Sequence, residues 1–312
     1  MRPEHKGLLC AIGATFFFGC GSTALKLIYR YFDQIPFQDL SLIRSAFCML
    51  VFLLVLLRKD PALLRVGRRE LAFFVFSGVC GMFLVQFCLL LGLQLAPVGV
   101  CSFTQSSSTI MVCLCSVALF HEKISREKRL GIAVGLAGLA FVVWNPEILR
   151  GGRMFAWGVL AAFASGVGKT VYMVCGKLAG QRGRKLPLMF YGMAASSLMG
   201  LPFSNGLPAA ASYFLDWRAA LVLAGYLLAF SALPYLLTFR SIELLPASTA
   251  GALNVVEPLA ATVSAFLVLG EPLLWNHILG AALTVTSVLL IHRDAGAPAE
   301  PDEPKRQGGN LP

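Results

Sequence analysis

Residues 71–120 contain no Asp, Glu, Lys or Arg over fifty consecutive positions. Residues 186–215 add thirty more, and 219–239 and 272–292 add twenty-one each. A helix crosses roughly 30 Å of hydrocarbon with about 20 mostly apolar residues. Each run therefore has room for one or two crossings, and uncharged apolar runs of this length read as membrane spans. Splitting them at Gly and Pro turns, and adding segments with one embedded charge, predicts ten spans. These are 7–28, 36–57, 71–92, 97–120, 128–145, 154–176, 186–203, 218–240, 246–269 and 273–292. The runs are apolar on every face, whereas barrel strands alternate apolar with polar residues. The expected class is an all-α integral membrane protein.

Composition agrees where it is needed. Charged residues make up 13% of the chain, about half of the roughly 25% usual in soluble proteins. Met1–Lys6 followed by an apolar run has the look of a secretory leader, but the run is long and nine spans follow it, so it reads as an uncleaved first helix. All nine cysteines fall inside the proposed spans. Without a Cys-x-x-Cys spacing they read as packing residues rather than metal ligands. The tail, 293–312, is rich in Pro, Gly and charge and is expected to be a disordered cytoplasmic segment.

The net charge of +10 matters through its placement. With ten spans and cytoplasmic termini, nineteen of the 26 Lys and Arg fall in cytoplasmic segments and four on the opposite side. That asymmetry predicts the orientation in the cell membrane. It accounts for the basic balance through anionic lipid, with no nucleic acid as partner.

Sliding the chain against itself by 149 positions places Leu95 on Leu244, Pro97 on Pro246, Glu122 on Glu271, Leu130 on Leu279, Gly131 on Gly280 and Ala133 on Ala282. Gln105 falls opposite Asn254, and Gln86 opposite Tyr235. An offset of 151 pairs Gly7 with Gly158 and Lys26 with Lys177. Two repeats follow, 7–145 and 154–292, each of five spans. An odd number of spans sends the second repeat through the membrane upside down, the arrangement of many secondary transporters.

The residues that carry this pattern resemble the drug/metabolite transporter superfamily, of the EamA type. They are Arg44 early in the second span, His121-Glu122 and Gly270-Glu271 ending the fourth and ninth, Glu257-Pro258 within the ninth, and Gly131 and Gly280 opening the fifth and tenth. His121 stands where the family has glycine. The resemblance spans about 7–292. It implies a ten-helix carrier with a central cavity between the first four helices of each half. The fifth and tenth helices would support packing or assembly, such as a homodimer. It also implies transport of a small-molecule metabolite, for many members outward.

Charges inside a bilayer are candidate functional groups, since each costs about 2.5–3.5 kcal/mol on insertion scales. Glu257 lies near the predicted midplane, beside a proline that loosens the local backbone. It suits a cationic group or a coupling proton. Lys169, about 12 Å deep from the end marked by Lys177 at 1.5 Å per residue, is a candidate partner for Glu257 and for a substrate carboxylate. Arg44 reads as a gate near one mouth, as snorkelling outward, or as a substrate-binding group, with Asp39 a poorly phased partner. Gln105, in the polar run Ser102–Thr109, and its repeat match Asn254, with the matched pair Gln86 and Tyr235, form a candidate polar lining. Lys26 and Lys177 read as interfacial anchors. Trp144, Trp217 and Trp275 read as belt residues. Phe16, Phe17, Phe18, Trp157, Tyr172 and Tyr191 are candidates for a cation-binding wall.

Neither a dinucleotide fingerprint nor a zinc-protease motif occurs, and Gly166-Val-Gly168-Lys169-Thr170 lacks the first glycine of a phosphate loop. No cofactor is expected, and the drive must come from gradients of protons, other ions or the cargo. The rival readings are a membrane-embedded enzyme, for which four scattered histidines supply no convergent set, and a non-transporting scaffold.

Overall fold

The computed structural model describes residues 3–32, 35–120, 126–143, 152–244, 256–272 and 275–295. Within them the chain forms α1 (Pro3–Tyr31), α2 (Phe37–Lys59), α3 (Arg68–Leu95), α4 (Val98–Gln105 and Ser107–Phe120), α5 (Arg126–Val143), α6 (Gly152–Gln181), α7 (Lys185–Gly200), α8 (Trp217–Leu244), α9 (Val256–Leu269) and α10 (Trp275–Ala295). These fall on the ten predicted spans. Six of them (α1, α2, α3, α6, α7 and α8) contain windows long and apolar enough to cross a bilayer. Of the rest, α4 breaks at Ser106, α9 has 14 residues in its described part, and α5 and α10 have 18 and 21. Helices dominate because hydrocarbon supplies no partner for a backbone N–H or C=O, so each segment must satisfy its own.

The punctuation is local. Pro36 and Pro97 precede α2 and α4. Asp60 ends α2, and its carboxylate caps the short turn that begins at Pro61. Gly183 and Gly270 take positive φ, +67° and +68°, immediately after α6 and α9. In each case the next residue's N–H returns to a carbonyl inside the helix: Arg184 to Ala179 at 2.9 Å and Glu271 to Ala265 at 3.3 Å. An L-residue rarely adopts this backbone, so glycine is what folds the following charged side chain back across the helix end.

The inverted repeat reappears in the packing, with side-chain sizes exchanged. In α3–α6 the Cα of Gly81 faces Tyr172, and a β-carbon there would meet that residue at 3.1 Å. The repeat-equivalent contact, α8–α1, brings Phe230 against Gly21 at 3.2 Å. Likewise Gly19 lies against the carbonyl of Glu257, and its counterpart Thr170 donates to the carbonyl of Ser108 at 3.4 Å. Both α3 and α8 pass through a π-helical stretch at equivalent places, Ser77–Phe83 and Leu228–Ala232. Between the halves, α5 and α10 pack along one another, with Ser287 Oγ donating to the carbonyl of Gly131 at 2.6 Å.

Two apolar clusters hold the bundle. One includes Leu25, Leu40, Leu93, Val98, Ala162, Leu223 and Ala265, drawn from α1, α2, α3, α4, α6, α8 and α9. The other includes Cys48, Phe52, Phe74, Met82, Ala179, Leu188 and Met193, from α2, α3, α6 and α7. The second lies toward the face carrying Arg68, Arg69, Arg182 and Arg184, here the basic face. The first lies toward the opposite, or far, face. Trp217 and Trp275 open α8 and α10 with exposed rings, as belt residues do.

Candidate functional site

Polar side chains sit at the seam between these two clusters. Along α2, Arg44 separates Ile43 of the far cluster from Cys48 of the basic one; along α3, Gln86 separates Leu90 from Met82. On α6, Lys169 lies between Ala162 and Ala179.

Its Nζ stands 2.8 Å from Glu257 Oε2, with 20% and 16% of the two side chains exposed. Small residues deliver this ammonium. A β-carbon on Gly168 would meet the backbone of Gly81 and Val85 at 2.9 Å, and one on Gly166 would meet the carbonyl of Gln105 at 3.1 Å. With neither present, α6 lies close to both α3 and α4. Glu257 sits in the first turn of described α9, followed by the buried Pro258, with Gly19 against its carbonyl.

A wall of rings stands beside the ion pair. Tyr235 meets Phe18 edge-on with centroids 5.1 Å apart, Phe52 at 6.2 Å and Tyr172 at 6.5 Å. Its phenol lies within electrostatic reach of both Glu257 and Arg44. Arg44 is half-buried: Nε donates to Ser231 Oγ at 3.1 Å, and the guanidinium lies 5.8 Å from the Tyr226 ring centroid. It therefore points into the bundle rather than out to lipid. Its acceptor, Ser231, belongs to the π stretch of α8, where π turns commonly mark functional sites. Asp39 does not pair with it. That carboxylate accepts from the Asn205 backbone at 2.8 Å and side chain at 3.0 Å, tying α2 to the chain after α7.

The polar lining divides. Gln105 ends the first segment of α4, and its Nε2 donates to Ser165 Oγ at 2.7 Å, one turn from Lys169 on α6. The helix breaks at Ser106, within the polar run, and the Thr104 and Ser107 hydroxyls beside the break are buried without a partner among the described residues. Gln86 is buried between α3 and α7, its amide 3.5 Å from Met193 Sδ. Asn254 lies outside the described residues. Of the proposed aromatic wall, Phe18 and Tyr172 stand beside Tyr235, whereas Phe16 and Trp157 are exposed. Tyr191 bonds the Leu64 carbonyl at 2.7 Å toward the basic face.

Two contacts near the helix ends escaped the sequence reading. Lys26 is more than an interfacial anchor: its Nζ lies 2.8 Å from Glu271 Oε1, while Oε2 accepts the Val98 N–H at 3.0 Å. One carboxylate thus clasps α1, the end of α9 and the start of α4 on the far face. On the basic face, Arg184 makes a two-pronged bridge to Glu70 at 2.7 and 2.9 Å and donates to the Arg65 carbonyl at 2.8 Å. The hydrogen bonds it donates to the Glu70 carboxylate hold the guanidinium even more firmly charged than usual. In the sequence, Gly270-Glu271 and Gly183-Arg184 are the only local signs of either contact.

The chain's matches agree with this architecture. The profile of the EamA-like transporter family matches residues 5–144 and 156–293. An uncharacterized transporter, YetK, of Bacillus subtilis (strain 168) is 22% identical over 263 residues, covering 83% of this chain and 79% of its own. An uncharacterized transporter of Archaeoglobus fulgidus is 23% identical over 288 residues, covering 92% of this chain and 99% of its own. A solved crystal structure superposes with a TM-score of 0.64 at 17% identity, over 94% of this chain and 99% of that one.

Proposed function

The chain belongs to the EamA-like transporter family, and from that premise we propose that it is a secondary active carrier of a small polar or zwitterionic metabolite such as an amino acid, working by alternating access as an exporter in the cell membrane with both termini cytoplasmic. The Lys169–Glu257 pair supports this reading most directly. It presents one cationic and one anionic group at the seam between the two apolar clusters, and a zwitterion offers each an opposite partner. Exchange of the internal bridge for two bridges to cargo limits the desolvation cost, because neither protein charge is left alone. Tyr235 and Phe18 supply an apolar flank for the cargo's side chain. A homodimer through the outward faces of α5 and α10, and a coupling proton taken up at Glu257, belong to the same proposal.

Counterflow in proteoliposomes loaded with amino-acid pools tests it. A hydrogen bond to a charged group contributes about 1.5–3 kcal/mol, so Lys169→Gln and Glu257→Gln should each raise KM about 10- to 100-fold. Saturable exchange that survives both substitutions unchanged overturns the site. Product formation without exchange points to an enzyme.

A further inference from the structure

A second site lies away from this seam. Between the start of α3 and the end of α6 the basic face opens into a crevice of about 670 Å³, within the range of about 300–1,000 Å³ that accepts whole small ligands. Four arginines line it, Arg68, Arg69, Arg182 and Arg184, against one carboxylate, Glu70. Glu70 is already committed to Arg184 through both oxygens. Arg68, Arg69 and Arg182 form no ion pair among the described residues. All three are exposed, and Arg182 lies within electrostatic reach of Glu70, so the crevice carries a surplus of positive charge that favours an anion.

The rest of the crevice narrows the choice of anion. Phe73 and Leu178 line it with hydrocarbon, which a hydrated inorganic ion does not need. Farther along α3, around the helix from the crevice, Leu71, Val75 and Phe76 are exposed by 38%, 41% and 52%. Charge at one end with hydrocarbon running down an adjoining membrane helix is the pattern of a lipid, phosphate at the rim and acyl chain along the helix. Arginine suits a phosphodiester because its planar fork can donate two parallel hydrogen bonds.

The geometry points to a binding site for the phosphodiester headgroup of an anionic phospholipid in this crevice, bridging α3 to the loop after α6. It rests on the proposed orientation only in placing the lipid in the cytoplasmic leaflet, where anionic headgroups accumulate.

Native mass spectrometry of the full chain, released from detergent with equimolar dioleoyl phosphatidylglycerol and dioleoyl phosphatidylcholine, tests the site without any transport assay. Retention should favour phosphatidylglycerol, and Arg69→Gln and Arg182→Gln should each reduce that preference about fivefold. Arg65→Gln, which removes the same charge from the same basic face but outside the crevice, should leave it intact. Arg69→Lys and Arg182→Lys keep the charge but lose the fork and should fall between wild type and the glutamine variants, which guards against a variant that merely fails to fold. Equal retention of the two lipids, or an equal loss in Arg65→Gln, overturns the site. Full displacement of phosphatidylglycerol by millimolar inorganic phosphate assigns the crevice to a free anion and overturns the lipid. None of these outcomes bears on the Lys169–Glu257 reading, which the counterflow assay decides separately.

Discussion

Lys169 and Glu257 hold one another at 2.8 Å with most of both side chains withdrawn from solvent, so removing one charge strands the other. Stranding a shielded charge costs more than replacing the whole pair by neutral groups. Lys169→Gln and Glu257→Gln should therefore each lower the thermal midpoint in detergent more than the double variant does. A double variant less stable than either single one would show that the two charges are not coupled. The charges themselves were legible, because Glu and Lys deep within apolar runs are conspicuous whatever the fold. Lys26 was misread for the opposite reason. Close to a helix end, a lysine that reaches the interface and one that clasps Glu271 have the same local sequence. What distinguishes them is a partner 245 positions away, brought into reach by the positive φ of Gly270.

At the scale of the helices, glycine is a contact residue in some places and a weakness in others. A β-carbon on Gly78 would overlap the carbonyl oxygen of Gly192 and crowd Ala195, so α3 and α7 would have to separate. Gly78→Ala should cost about 1–3 kcal/mol, as overpacking usually does. Gly225, inside α8, meets nothing within 4 Å. Gly225→Ala should be neutral or stabilising by up to about 1 kcal/mol, since alanine is the better helix former. Thermal unfolding of the two variants checks both signs. Helix positions were readable from the uncharged runs because hydrocarbon permits few other structures. The break at Ser106 and the π stretches of α3 and α8 were not, since Ser102–Thr109 and the two apolar runs are compatible with unbroken helices. Contacts with α6, α7 and α2, such as Gln105–Ser165, Gly78–Gly192 and Arg44–Ser231, give those irregularities a role.

For the whole molecule, inversion turns a contact at one face into an expectation at the other. Lys26 corresponds to Lys177 and Glu271 to Glu122 in the repeat register, so the far-face clasp has a basic-face counterpart in sequence. Glu122 lies outside the described residues. In an alternating carrier the two clasps should close in turn, because rocking one half toward the other at one face draws them apart at the opposite face. In a cysteine-depleted background, a short reducible bis-methanethiosulfonate should cross-link Lys26→Cys to Glu271→Cys and arrest counterflow until a reductant is added. Glu271→Gln alone should raise labelling of engineered cysteines lining the seam from the far face and reduce it from the basic face, while Glu122→Gln should do the reverse. The opposition of sign is the discriminating result. If both substitutions moved labelling in the same direction, the clasps would be static fastenings of the fold, and access would have to alternate through other contacts.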